Sequence, residues 1–316
     1  MRISIVVPCY NESAVLAQLH ERLLAVLTLL APDTFEIIYV DDGSDDETPA
    51  QLYQLSLRDP RLKILRLSRN FGQEAAMTAG LTEGTGDAVV IIDADLQDPP
   101  ELIAQMHARW REGWQIVFAE REDRAGEGKF KRWAAETFYC LLRGLSPSIS
   151  HHAGNFRLLD RAVVDAFLQM PERTRFVRGM ISWVGFKQIA IPYRRAARFA
   201  GESKYSLRKM FSLGTDAITS FSFAPLRLAT ILGLGILVTA LVELTISVAF
   251  HPVNAILLAV LFLAGAQLLS IGILGEYVGR IYREVKRRPL FVVRERYGLA
   301  YKRGDVSSVE EQRVSN

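Results

Sequence analysis

Ala88-Val89-Val90-Ile91-Ile92-Asp93-Ala94-Asp95-Leu96-Gln97-Asp98-Pro99-Pro100 is an apolar run that stops on two carboxylates one residue apart, just before a proline pair. The run reads as a strand and the polar, proline-closed stretch after it as a loop. Three upstream runs share its character, Ile3 to Val7, Phe35 to Val40 and Leu62 to Leu67, and stretches of helical period separate them. In the first such stretch Val15, Leu16, Leu19, Leu23, Val26, Leu27 and Leu30 form one apolar stripe, with Ser13 the expected N-cap. The order βαβαβαβ predicts a largely parallel sheet covered by helices, and such sheets bind ligands beyond the carboxyl ends of their strands. Acidic residues stand at those ends: Asp41 and Asp42 after the second run, Asp93 and Asp95 after the fourth.

With 316 residues, 49% hydrophobic and 23% charged, the chain suffices for one α/β domain and a smaller part. A net charge of +3, from 38 basic and 35 acidic residues, excludes nucleic-acid binding by bulk electrostatics. The basic surface is local. Ten Lys/Arg against two acids fall between Glu172 and Lys209, and nine against two between Arg280 and Arg303, which points to phosphates or anionic lipid heads. Cys9 and Cys140 lie in apolar patterns without metal spacing and read as core residues of a reducing compartment. The apolar run at the N-terminus is too short for a signal peptide, so the first domain is expected in the cytoplasm.

After a short strand at Ile116-Val117-Phe118, the stretch Arg121 to Arg132 carries five bases and three acids and reads as a loop leading into a helix. From about 151 to 222 short strands mix with basic residues in an order that periodicity does not resolve. Leu228 to Phe250 then runs 23 residues with Glu243 its only charge, and Val253 to Gly275 another 23 with none. About 20 residues span the hydrocarbon core, so a transmembrane hairpin turning at His251-Pro252 is expected. Arg280, Arg283, Lys286, Arg287 and Arg288 place its outer ends in the cytoplasm. The expected divisions are a cytoplasmic domain over 1–205, juxtamembrane amphipathic helices over 206–227, membrane helices over 228–280 and a basic tail over 281–316. Glu243 inside a span reads as a helix or subunit contact, or as an interfacial residue of a shifted helix.

Asp93 and Asp95 offer hard oxygen ligands suited to Mg²⁺ or Mn²⁺, which would bridge the phosphates of a nucleotide-sugar. Alone, such a pair is also a common strand-end cap. Its neighbours change the reading. Val7-Pro8-Cys9-Tyr10-Asn11-Glu12, Val40-Asp41-Asp42-Gly43-Ser44-Asp45-Asp46 and Asp93 to Pro100 together resemble the family 2 glycosyltransferases. The resemblance implies a glycosyltransferase A-type (Rossmann-like) α/β fold. It also implies that Pro8, Tyr10, Asn11, Glu12, Asp41, Asp42, Ser44, Ala94 and Gln97 bind the nucleotide-sugar. Pro8 and Tyr10 would shape and stack on a flat base, Asp41 or Asp42 would accept from base N–H or ribose hydroxyl, and Gly43 would permit the turn. No GxGxxG or GxxxxGK[ST] is present.

Gly154-Asn155-Phe156-Arg157-Leu158-Leu159-Asp160-Arg161, Arg175-Phe176-Val177-Arg178-Gly179 and Arg198 with Gly201-Glu202-Ser203-Lys204-Tyr205 are similar to the polyprenyl-phosphate sugar transferases. That likeness implies catalytic contacts to phosphate from Arg198 and Lys204, beside Asp93 and Asp95. It implies acceptor contacts from Arg121, Lys131, Arg132, Arg175, Arg178 and Tyr205. The expected reaction is inverting transfer of a hexose to undecaprenyl phosphate at the inner membrane. UDP-glucose is the first choice of donor, followed by N-acetylhexosamine, mannose and aminoarabinose. The likeness further points to a homo-oligomer, a tetramer being one form of it, with a tail strand at Pro289 to Glu295 joining a neighbour's sheet.

Relatives often carry Asp where this chain has Asn155. A lipid phosphate with a second pKa of about 6 is already ionised at neutral pH and needs no base. Asp160 or Asp95 rank below no base at all. Two rivals stay open, a processive polysaccharide synthase, whose Gln-x-x-Arg-Trp is not matched by Gln105 to Trp110, and a non-catalytic nucleotide-sugar-binding membrane subunit.

Overall fold

The computed structural model describes residues 1–121, 153–193 and 253–299, with a few helical positions between 231 and 239. The strands are β1 (Arg2–Cys9), β2 (Thr34–Asp41), β3 (Leu62–Leu67), β4 (Ala88–Ile91), β5 (Ile116–Arg121), β6 (Ala153–Asp160), β7 (Gln188–Tyr193) and β8 (Val293–Tyr297). The helices are α1 (Leu16–Thr28), α2 (Thr48–Arg58), α3 (Gln73–Glu83), α4 (Leu102–Arg111), α5 (Arg161–Leu168), α6 (Val177–Trp183) and α7 (Val253–Lys286). By its contacts the chain divides into two units, one holding all eight strands and α1 to α6, the other holding α7.

One sheet runs in the order β7-β5-β6-β4-β1-β2-β3-β8. The four strands read from hydrophobic runs form its parallel centre, β4-β1-β2-β3. The expectation of a largely parallel sheet holds there and for the β5–β7 pair. β6 pairs antiparallel with both β4 and β5, and β8 antiparallel with β3, so the sheet is mixed. Helices cover the centre on both faces, and β1 is buried from Ile3 to Cys9. This is why β1 and β4 read as near-continuous apolar runs rather than alternating ones.

Two local expectations are corrected. Helix α1 begins at Leu16 behind Val15, with no side-chain cap. Ser13 is drawn off instead, its N–H donating to Asp46 at 3.4 Å. The tail strand lies at Val293–Tyr297 and joins the chain's own sheet along β3, where Arg296 pairs with Glu83 at 3.0 Å and Arg66 with Glu295 at 3.3 Å. The free edge of β3 is thus covered from within the chain, and β8 lends no support to an oligomer.

Helix α7 continues past Gly275 through Arg280 and Arg283 to Lys286, so those bases belong to the helix. It stops at Arg287, whose φ of 49° is left-handed and whose N–H donates to Glu284 O at 3.2 Å. Its stretch Phe262–Lys286 is long and apolar enough to cross a membrane, and Leu268 and Ile271 are 70% and 64% exposed. The first expected span apart from those few positions, its link at His251-Pro252, Glu243, the 206–227 segment and Cys140 lie outside the described residues.

At the amino ends of the strands Glu36 is 1% exposed. It accepts from Ser4 Oγ (2.6 Å), Arg2 Nη2 (2.7 Å), Lys63 Nζ (2.5 Å) and Thr85 N (2.8 Å). Burial pushes this carboxyl up, but the bonds from Lys63, Ser4 and Thr85 outweigh it and hold it at about 2, against an ordinary 4.5. A depressed pKa stabilises the fold fully above the unfolded value and loses that contribution as pH falls through the folded one. The shift corresponds to about 3 kcal/mol. We therefore expect thermal stability to fall between pH 4.5 and about 2 in the wild type, and Glu36→Gln to start lower and lose the part of that slope due to residue 36. Equal slopes for the two proteins in a melting series would reject this assignment.

Candidate functional site

Because β4, β1, β2 and β3 are parallel neighbours, the loops leaving their carboxyl ends gather on one edge. The loops after β1 and β2 are laced together. Asn11, at φ 55°, donates its N–H to Ser44 Oγ at 2.9 Å and accepts from Asp45 N at 2.9 Å, while Glu12 N donates to Thr48 Oγ1 at 2.9 Å. Pro8 and Cys9 close β1 within the core, and Tyr10 is half-buried beside them. Burial, chiefly, and then Asp41 push the Cys9 thiol well up, so it is an inert core group.

The two aspartates after β2 are both engaged. Asp41, fully buried, accepts from Ser44 N at 3.0 Å and pairs with Arg66 Nε at 3.2 Å. Asp42 accepts from Phe71 N and Gly72 N, both at 2.8 Å, and so clamps the β3–α3 loop. Burial raises both carboxyls, and these N–H donors work against it. Gly43 between Asp42 and Ser44 has φ +70°, and a Cβ there would lie 2.5 Å from the carbonyl carbon of Arg69.

Asp93 and Asp95 follow β4, both half-buried, with Ala94 buried between them. Asp93 Oδ1 accepts from Gln73 Nε2 at 2.8 Å, and Asp95 Oδ1 accepts from Gln97 N at 3.1 Å across a turn in which Leu96 takes φ 58°. Asp98, fully buried, accepts from the Tyr193 hydroxyl and ties this loop to the end of β7. Among the described residues no group of three His, Cys, Asp or Glu side chains is placed to hold a metal. Two carboxylates nevertheless fit Mg²⁺ or Mn²⁺ of the kind that takes one or two protein carboxylates and completes its shell with phosphate oxygens and water.

The antiparallel register of β6 sorts its motif between the two ends of the sheet. Ala88 faces Asp160 and Ile91 faces Arg157, so Asn155 lies beyond the last pair, toward the end of β4 that Asp93 follows. Asp160 falls at the far end, where it accepts from Ala162 N at 2.9 Å as the cap of α5 and from Trp110 Nε1 at 2.8 Å. It is removed from consideration as a base at the Asp93 edge. Arg175 donates to the carbonyls of Met170 (2.7 Å) and Glu172 (3.2 Å) and lies over the Phe167 ring, and Arg178 lies over Phe176. The side chain of Arg121, at the end of β5, and the residues Lys131, Arg132, Arg198, Lys204 and Tyr205 lie outside the described residues.

Sequence reading passed over Gln73, Glu74, Asp98, Arg66 and Arg157. The signal for the first two was present: Asn70-Phe71-Gly72-Gln73 follows β3 on the same carboxyl edge that drew attention to the other three loops.

The description "glycosyl transferase family 2" matches residues 4–168. The chain is 44% identical over 312 residues to the uncharacterized glycosyltransferase YkcC of Bacillus subtilis (strain 168), covering 96% of each. It is 41% identical over 304 residues to the SfII prophage-derived bactoprenol glucosyl transferase of Shigella flexneri, covering 93% of this chain and 98% of that one. Among solved structures it is similar in fold to glucosyl-3-phosphoglycerate synthase of Mycobacterium tuberculosis in complex with Mn²⁺, uridine diphosphate and phosphoglyceric acid. That likeness has TM-score 0.51 and 19% identity, and covers 69% of this chain and 76% of that one.

Proposed function

Because the chain belongs to glycosyl transferase family 2, and is therefore a glycosyltransferase, we propose that it transfers glucose from UDP-glucose to undecaprenyl phosphate at the cytoplasmic face of the inner membrane. The observation that carries the acceptor is the reach of the similarity. It covers 93% of the chain and so extends far beyond residue 168, where the family match ends, to a protein whose own name states a bactoprenol acceptor.

Asp93 and Asp95 would hold Mg²⁺ or Mn²⁺, which when bound neutralises charge on the departing diphosphate. The laced loops 10–12 and 41–48 form the wall against which the nucleoside rests, and Tyr10 would stack on the base. The acceptor phosphate attacks the anomeric carbon as the bond to the diphosphate breaks. Asn155, on β6 toward the end that Asp93 follows, is neutral and removes no proton. None needs removing from a phosphate already ionised at pH 7, so the chain's contribution is orientation and charge screening. Arg198 and Lys204 supply the screening, in the segment that Tyr193 leads into directly.

The membrane reading follows from chain continuity. β7 and β8 lie in one sheet, so the chain between them leaves and returns on one side of a bilayer. If Phe262–Lys286 crosses, a second crossing must precede it, and Leu228 to Phe250 is the segment with the composition for it. The bases from Arg280 to Arg288 support a cytoplasmic sheet under the positive-inside rule.

The test is a panel of nucleotide-sugars offered to the purified full chain with undecaprenyl phosphate, with and without a chelator. We expect UDP release from UDP-glucose that requires both lipid and divalent ion, and a β-linked product from an α-linked donor. Release that ignores the lipid overturns the acceptor, another preferred sugar overturns glucose, and retained configuration overturns the single displacement.

A further inference from the structure

Helix α3 lies close against the sheet because Gly80 leaves room for Val6, whose Cγ1 would be 2.2 Å from a Cβ there. Its first turn touches three separate parts of the site. Asp42, at the end of β2, holds Phe71 N and Gly72 N at 2.8 Å, which fixes where the helix starts. Gln73, the first residue of the helix, donates to Asp93 Oδ1 at 2.8 Å. Glu74, the second, accepts from Val177 N at 2.7 Å. Its carboxyl is raised by burial, against which Arg178 and Arg157 act as nearby positive charges.

We propose that the first turn of α3 is the positioning element that sets the metal-side carboxylate Asp93 in register with the acceptor-side segment Arg175 to Gly179, through Gln73 on one side and Glu74 on the other. This rests on the donor and acceptor roles argued above. The residue types suit it. An amide at position 73 can donate to a carboxylate, fixing its rotation without adding charge to a site that must take a cation and a diphosphate. A carboxylate there would repel Asp93. At position 74 a carboxylate is needed, because it must both accept from Val177 N–H and balance the Arg157 and Arg178 charges. Arg157 is 2% exposed, and burial followed by the Arg178 charge pushes it down to about 9, with Glu74 acting in the other direction. It is still charged at neutral pH.

The two arms make different demands. Gln73→Ala should weaken Mn²⁺–UDP binding, measured by calorimetry and by the Mn²⁺ resonance spectrum, by about 10- to 100-fold, the usual cost of losing a partner behind a metal ligand. Its KM for the lipid should stay within about twofold, a margin that separates it from the effect on binding. Glu74→Gln keeps the shape and an acceptor for Val177 N–H but loses the charge. It should raise the KM for undecaprenyl phosphate several-fold and leave Mn²⁺–UDP affinity unchanged. A general loosening of the fold would move both parameters in both variants, and that result overturns the proposal. So does wild-type Mn²⁺–UDP affinity in Gln73→Ala with a wild-type melting temperature. Should Gln73→Ala melt early, Gln73→Met, which keeps the length and loses the donor without adding charge, is measured in its place with the same criteria. Failure of the wild type to bind Mn²⁺–UDP would overturn the functional reading itself, and the wild-type measurement shows this before any variant is compared.

Discussion

Asp93→Asn is expected to lower kcat for transfer by on the order of 10²- to 10³-fold, the scale seen when one preorganised group facing transition-state charge is lost. The substitution is chosen because it removes charge and little else. Asn keeps a side-chain oxygen that can accept from Gln73 Nε2, so the 2.8 Å contact and the turn after β4 need not change. Asp95→Asn keeps the acceptor for Gln97 N in the same way. Both variants should therefore melt close to the wild type while losing activity and Mn²⁺ affinity together. Turnover within a factor of a few of wild type would remove this pair from the chemistry and return it to the status of a strand-end cap.

Gly43→Ala is expected to be the most damaging small substitution at the site, and through stability rather than chemistry. The residue sits at φ +70°, where a Cβ costs about 1–2 kcal/mol. The added methyl would also lie 2.5 Å, 2.7 Å and 2.8 Å from the backbone atoms of Arg69 and Asn70. Backbone cannot rotate out of the way as a side chain can, and the Arg69–Asn70 segment is held by Asp42 through Phe71 and Gly72 and by Ser68 N donating to Val292 O at 2.9 Å. Overpacking of this kind adds roughly 1–3 kcal/mol, so about 3 kcal/mol in all is expected. Melting temperature and soluble yield report it directly. A variant as stable as wild type would mean that the two loops can separate at little cost.

The donor edge was legible in the sequence because its signals are local. The four central strands are rich in Ile, Leu and Val, β1 and β4 most continuously, and a strand buried on both faces announces itself by composition. The carboxylates stand at the ends of those runs, so chain order by itself put Asp41, Asp42, Asp93 and Asp95 on one edge. Where signals overlapped, reading failed. Ser13 has the right chemistry for a cap, but Asp46 and Thr48 engage the residues around it and the helix begins three residues later. The region after residue 151 could not be ordered, because the partners of β6 and β7, β4 and β5, lie far back in the chain.

The sequence alone determined the family, the α/β class, the acidic edge and the apolar character of α7, since periodicity, motif spacing and composition all act over a few residues. Only the tertiary structure decided what each polar group at that edge does. Asp42 meets its donors 29 and 30 residues on, Gln73 meets Asp93 across 20, and Glu74 meets Val177 across 103. The tail likewise looked like a strand in the sequence, yet nothing in it named β3 as its partner or placed Glu295 beside Arg66, 229 residues earlier. Such contacts depend on which strands become neighbours and on which way each runs, and hydrogen bonds between elements carry no periodicity for a sequence to display.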